Sequence, residues 1–101
     1  MEEFENVFVS YMFKQAAMPF FMVCGYSCKD SALTELCQDF YDTWKKAASR
    51  VERGMRVPNT WRKKLAESKF LVKAMVQENL LPQHWADEHF RAQRFIEQYK
   101  G

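Results

Sequence analysis

The sequence predicts an all-α protein: a compact bundle of about four helices, with a place for one extra short helix. Three observations predict it. Apolar residues recur at helical spacing through most of the chain. Only three glycines and three prolines interrupt its 101 residues. Hydrophobic side chains make up 48% and aromatics 16%, which drives a chain to fold or associate rather than stay disordered. One domain over residues 1–101 is expected, because roughly two thirds of the unfolded surface of so short a chain can be buried, enough for a single core.

Phe4, Val7, Phe8, Tyr11, Met12 and then Gln15–Ala16 recur on one helical face, which predicts a first helix over 2–17. Pro19 is expected to end it, or to open a short second helical turn from the first position, where its missing N–H costs nothing. The apolar run 20–23 is too short for periodicity to classify and allows a buried strand, but a short buried helix fits its helical surroundings better, and 25–30 reads as a turn. Asp30 or Ser31 then offers an N-cap. The stripe that follows is the clearest in the chain: Leu33, Leu36, Cys37, Phe40, Tyr41, Trp44, Ala47, Ala48 and Val51. It predicts a helix over 31–53, with Gly54 as its stop. Pro58 pushes Val57 towards an extended backbone, and Asn59 or Thr60 caps the next helix. That helix carries Trp61, Leu65, Ser68, Val72 and Met75, widened by Leu71 and Val76, and runs to about Glu78 with Asn79 as a left-handed stop. A last stripe of Trp85, His89, Ala92, Ile96 and Tyr99 follows Pro82. Short connections favour antiparallel neighbours. The stripes are too broad for a coiled-coil seam, so a globular bundle is expected.

The acidic opening, Glu2, Glu3 and Glu5, has the wrong sign for a secretory leader. The most apolar run, 16–26, is about half the length of a bilayer span and contains Pro19, so no membrane partner is expected. Three cysteines cannot all pair within one chain, and outside a secretory context they read as reduced thiols. The expectation is a cytoplasmic protein.

Net charge is only +2, but it is unevenly placed. Residues 1–44 balance to −5, residues 45–73 to +8 and residues 74–101 to −1. At about 100° per residue, Lys45, Lys46, Arg50 and Arg53 point away from the Phe40–Trp44–Val51 stripe. Arg62, Lys69 and Lys73 fall within about 40° of one another on the flank of the next helix. Arg56 lies in the connection and Lys63 beside Arg62. These nine cations form a basic helical hairpin suited to a phosphate backbone, whose counterions Lys and Arg displace. The expected function is therefore a small, non-enzymatic, nucleic-acid-associated protein. The rival expectation is an interaction module, an inhibitor or adaptor, that sets the same hairpin against an acidic protein or an aromatic patch against an apolar groove. The helix macrodipole supplies a purely structural reason for acids early and cations late in the 31–53 helix.

Other constellations carry less. The segment 53–61 resembles the turn and second helix of a helix-turn-helix, which would place Asn59, Thr60 and Arg62 for base reading. Its first helix is long and its turn is stretched by Pro58, unlike the tight turn of that motif. Cys24, Cys28 and Cys37 with His84 or His89 supply enough ligands for zinc, but no compact paired knuckle. Small core thiols and a core-edge His89 are the expectation, with no metal and no cofactor. His84 and Glu88 are spaced as a surface pair. No phosphate loop, nucleophile elbow or zinc-protease motif is present, so no catalytic residue is expected. Phe20, Phe21, Trp44, Trp61, Trp85, Phe90, Phe95 and Tyr99 are many large rings for one small core. Most are expected inside, with one of Phe90 and Phe95 exposed. Surplus apolar surface is normally covered, which points to a homodimer or a partner-binding face.

Overall fold

A computed structural model describes residues 2–27 and 30–98, with side chains for 5–25 and 30–98. The side chains of Glu2, Glu3 and Phe4, and the expected roles of Cys28 and Tyr99, lie outside that description. Four helices follow one another: α1 (Glu2–Met22), which runs into a π-helical turn at Val23–Ser27, α2 (Ser31–Glu52), α3 (Asn59–Gln77) and α4 (Gln83–Gln98). The chain is an all-α four-helix bundle.

Partner numbers across each interface fix the topology. Phe13 meets Trp44 while Phe20 meets Phe40, so α1 and α2 are antiparallel. Phe8 meets Phe95 while the Ala16 carbonyl meets His89, so α1 and α4 are antiparallel too. Arg50 over Trp61 and Cys37 against Met75 give the same sense to α2 and α3. Gln93 against Leu65, with Lys73 over Phe90, does so for α3 and α4. This is the up-down-up-down arrangement that short loops impose.

The caps follow the local chemistry. Asp30 Oδ1 accepts from the Ala32 and Leu33 amides at 2.9 and 3.3 Å, closing the N-terminus of α2. Gly54 at φ 73° ends α2, and Asn79 at φ 60° ends α3. In both stops the next amide reaches back five residues, Met55 to Arg50 and Leu80 to Met75, as in a Schellman turn. α3 has no side-chain cap, because Pro58 occupies its N-cap.

α1 departs from expectation in two ways. It continues through Pro19 to Met22, and Pro19 is buried. A proline inside a helix costs about 3 kcal/mol. Here burial of Ala16, Ala17, Phe20 and Val23 offsets that cost. The longer helix also makes the stretch Glu5–Gly25 long and apolar enough, by length and composition, to cross a membrane, although 44% of its most apolar 18-residue window is buried inside the bundle. In addition, α1 is turned so that, of the expected face, Ala16 is buried and Met12 half-buried while the rest of the buried face is new. Val9, Ser10, Phe13, Ala16, Ala17 and Phe20 enter the core, while Val7, Phe8 and Tyr11 are exposed. That face combines Ser10, Ala16 and Ala17 with Phe13 and Phe20, whose rings meet Trp44 and Phe40, and it fills the core beside Ala47, Ala48, Ala86 and Ala92.

Trp44 sits at the centre, with edge contacts to Phe13 at 5.6 Å and His89 at 6.0 Å. Its Nε1 donates to Ser68 Oγ, Ser68 Oγ donates to the Leu65 carbonyl, and Gln93 Nε2 donates to that same carbonyl. The buried polar chain thus ties α2, α3 and α4 together. His89 lies fully inside rather than at a core edge. Its Nδ1 must donate to the Ala16 carbonyl, 2.7 Å away, because a carbonyl only accepts. Nε2 is then a buried lone pair without a hydrogen-bond partner.

Candidate nucleic-acid interface

The α2–α3 hairpin places the nine expected cations in four situations. Lys45 and Lys46 on α2, Arg53 at its C-cap, Arg56 in the connection and Lys63 on α3 are exposed. None of these five forms an ion pair with an acid among the described residues. Arg50 is half-buried and committed to the hairpin itself: its Nε donates to the Arg56 carbonyl at 2.8 Å, and its guanidinium lies 5.6 Å from the Trp61 ring centre. Arg62 is half-buried and, with Phe13, Trp44, Leu65, Gln93 and Glu97, lines a cavity of about 90 Å³. Lys69 and Lys73 lie further along α3 and stand against the ring of Phe70.

The expected single row of cations is thereby divided. Arg62 and Lys63 are neighbours in sequence and so stand about 100° apart on the helix. Lys63 faces outward near the turn, whereas Arg62, Lys69 and Lys73 share the flank that faces α4. The one cation of the basic stretch outside the expected nine, Lys64, pairs with Asp39 and lies over Phe40 between α2 and α3.

The acids do not cancel the exposed group. Residues 45–73 hold two, Glu52 and Glu67. Glu52 takes Lys14 at 3.7 Å, from α1. Glu67 is exposed on α3 and has no ion-pair partner among the described residues. The turn itself packs beside Asn6 of α1, whose Nδ2 lies 3.4 Å from where a Gly54 side chain would begin.

The helix-turn-helix likeness fails on geometry. That motif crosses its helices at about 90–120°, and α2 and α3 run antiparallel. Asn59 and Thr60 are exposed at the start of α3, but α3 lies along the bundle instead of projecting from it.

The other candidates are dispersed. Cys37 is buried and its thiol donates to Met75 Sδ at 3.6 Å, while Cys24 Sγ faces the Thr34 carbonyl and Gln38. No three His, Cys, Asp or Glu side chains among the described residues gather where they could hold a metal ion. Glu88 pairs with Arg91 at 3.0 Å rather than with His84, whose ring lies tilted 5.4 Å from that of Trp85. Cavities beside Tyr41 and Phe21 (about 260 Å³) and beside Lys73 and Phe90 (about 200 Å³) fall below the usual size of small-molecule sites.

Sequence reasoning missed two surface features. Phe70 is 61% exposed and stands among lysines, while Phe90 and Phe95 are both half-buried. The register already held the signal, since Leu65, Ser68, Val72 and Met75 define the core face of α3 and Phe70 lies opposite. Arg94 is an exposed cation on α4 without an ion pair among the described residues. Comparison with models of protein families, with curated proteins and with solved structures gave no match.

Proposed function

We propose that this chain is a non-enzymatic, nucleic-acid-associated accessory protein that grips phosphate backbone with its α2–α3 hairpin. One observation carries the reading: Lys45, Lys46, Arg53, Arg56 and Lys63 are exposed around one hairpin with no acidic partner among the described residues. Charge held out in water at this density favours a polyanion, because each phosphate met releases condensed counterions. Reduced thiols and an α1 packed into the bundle fit a cytoplasmic setting.

The test is binding of a labelled oligonucleotide by fluorescence anisotropy between 50 and 200 mM salt. Five or more phosphate contacts give a log–log slope steeper than about −4 on duplex. The reversal Lys46→Glu, Arg53→Glu, Arg56→Glu should lower affinity at least a hundredfold and leave the unfolding midpoint in place. Arg50 and Arg62 are avoided, since reversing them would disturb the turn and the core edge. A flat salt dependence, or undiminished binding by the triple variant, removes the assignment.

A second reading rests on a different face. Val7, Phe8 and Tyr11 on α1 are 56, 45 and 53% exposed, an apolar stripe of the kind usually covered by a partner or a second copy. Under that reading the chain is an interaction module or homodimer. Recovery of one stoichiometric protein after nuclease treatment, released by Tyr11→Lys, would favour it over the first.

A further inference from the structure

Phe70 is the most exposed large apolar side chain among the described residues, at 61%. It lies on the solvent side of α3, so no demand of the core explains it. Cations surround it. Lys69 Nζ is 5.5 Å and Lys73 Nζ 6.0 Å from its ring centre, and Lys73 Nζ is also 5.9 Å from the ring of Phe90. Lys63, seven residues earlier, lies on the same face within about 20°. Lys73 also lines a hollow with Val76, Gln77, Gln83 and Phe90.

Proteins and nucleic acids both use surface aromatics as anchors. A protein hot spot sits within a ring of contacts that exclude water. The outward neighbours of Phe70 are Lys63, Ala66, Glu67, Lys73, Ala74 and Gln77, and with Lys69 they set three cations against one acid around the ring. A nucleic-acid base needs only a flat apolar ring for its own face and cations for the phosphates on either side. Paired bases keep their faces inside the stack, so the ring serves an unpaired base alone.

We propose that Phe70 is a stacking platform for an unpaired base, with Lys63, Lys69 and Lys73 holding the adjacent phosphates, so that the protein prefers single-stranded nucleic acid. This rests on the phosphate-binding reading of the hairpin and adds the class of strand.

The experiment compares the full chain on labelled oligothymidylate, oligouridylate and a duplex of equal length at one salt concentration. The single strands should bind more tightly than the duplex, and the first two arms separate DNA from RNA. Phe70→Ala should weaken single-strand binding about tenfold, leave duplex binding within about twofold, and leave the thermal midpoint unchanged because the side chain is exposed. Phe70→Trp should restore single-strand binding, and its added indole emission should be quenched when oligothymidylate is titrated in. If all three oligonucleotides fail to bind, the hairpin reading falls and takes this inference with it. If they bind and Phe70→Ala weakens all equally, or none, the hairpin reading stands and the platform is refuted. Loss of a co-purifying protein on Phe70→Ala, with oligonucleotide affinity unaltered, refutes it as well.

Discussion

Replacing Trp44 with alanine should destabilise the protein by about 3–5 kcal/mol, the usual cost of deleting a large buried ring. A domain of this length has only about 5–15 kcal/mol to lose. Trp44 is 1% exposed and touches Phe13 and His89 edge-on, so its removal opens the junction of three helices. Relaxation offers little relief. The site already borders a cavity of about 90 Å³ walled by Phe13, Leu65 and Ile96, and truncation would enlarge that void. Trp44→Phe keeps most of the ring and loses the bond from Nε1 to Ser68 Oγ, for about 1–2 kcal/mol. Urea unfolding at pH 7 measures both. A Trp44→Ala loss no larger than that of Trp44→Phe would mean that the hydrogen bond, and not the packed ring, does most of the stabilising.

The second large effect is acid lability centred on His89. Burial lowers its pKa from 6.5 to about 4. The Ala16 carbonyl pulls the other way, as does the Gln93 side chain, which approaches without closing a hydrogen bond to Nε2. The folded protein therefore holds the imidazole neutral where the unfolded chain would protonate it. Below pH 6.5 the unfolded state binds the extra proton, and stability falls with pH until both states are protonated below about pH 4. Stability from this group is complete above pH 6.5, and about 3 kcal/mol of it is lost across that window. His89→Asn retains a donor near the Nδ1 position and removes the titration. It will be less stable at pH 7 through lost ring contacts with Phe20, Trp44 and Phe90. Its stability should fall less steeply than that of the wild type between pH 6.5 and 4. Parallel profiles for the two proteins would show that His89 does not take up a proton on unfolding.

Helix α2 was legible because its two faces differ. Cys37, Phe40, Trp44, Ala47, Ala48 and Val51 alternate with polar residues at a period that only a helix satisfies, and the structure buries all six. Even there Leu36 is 43% exposed, an apolar side chain at the margin of the stripe. The stops at Gly54 and Asn79 were legible because left-handed backbone selects those residue types. Helix α1 was not. Its apolar residues are spread over more than one face, so the stripe of Phe4, Val7, Phe8 and Tyr11 competed with that of Val9, Phe13 and Phe20, and only packing against the other helices chose between them. Pro19 misled for a related reason, since its local penalty is visible in sequence and its compensation by burial is not.

The candidate interface divides along the same line. Charge is a property of each residue, so the excess of cations over 45–73 could be counted directly. Orientation within one helix also followed from the period, as for Lys45, Lys46 and Arg53. What could not be read was engagement across helices. Arg50 is drawn to Trp61 and the Arg56 carbonyl, and Arg62 to the rim of a core cavity. Lys64 is taken by Asp39, 25 residues away. These are meetings that only the antiparallel hairpin creates.

The seal around Cys37 gives the molecule an internal clock. A thiol reagent reaches that sulfur, 0% exposed against Met75, only in chains whose helices have parted. Cys24, half-buried where α1 passes into its π turn, is modified without such an opening. With Cys28 replaced by serine, the lag between the two modifications counts excursions out of the native state, and its length reports how rarely α2 and α3 come apart.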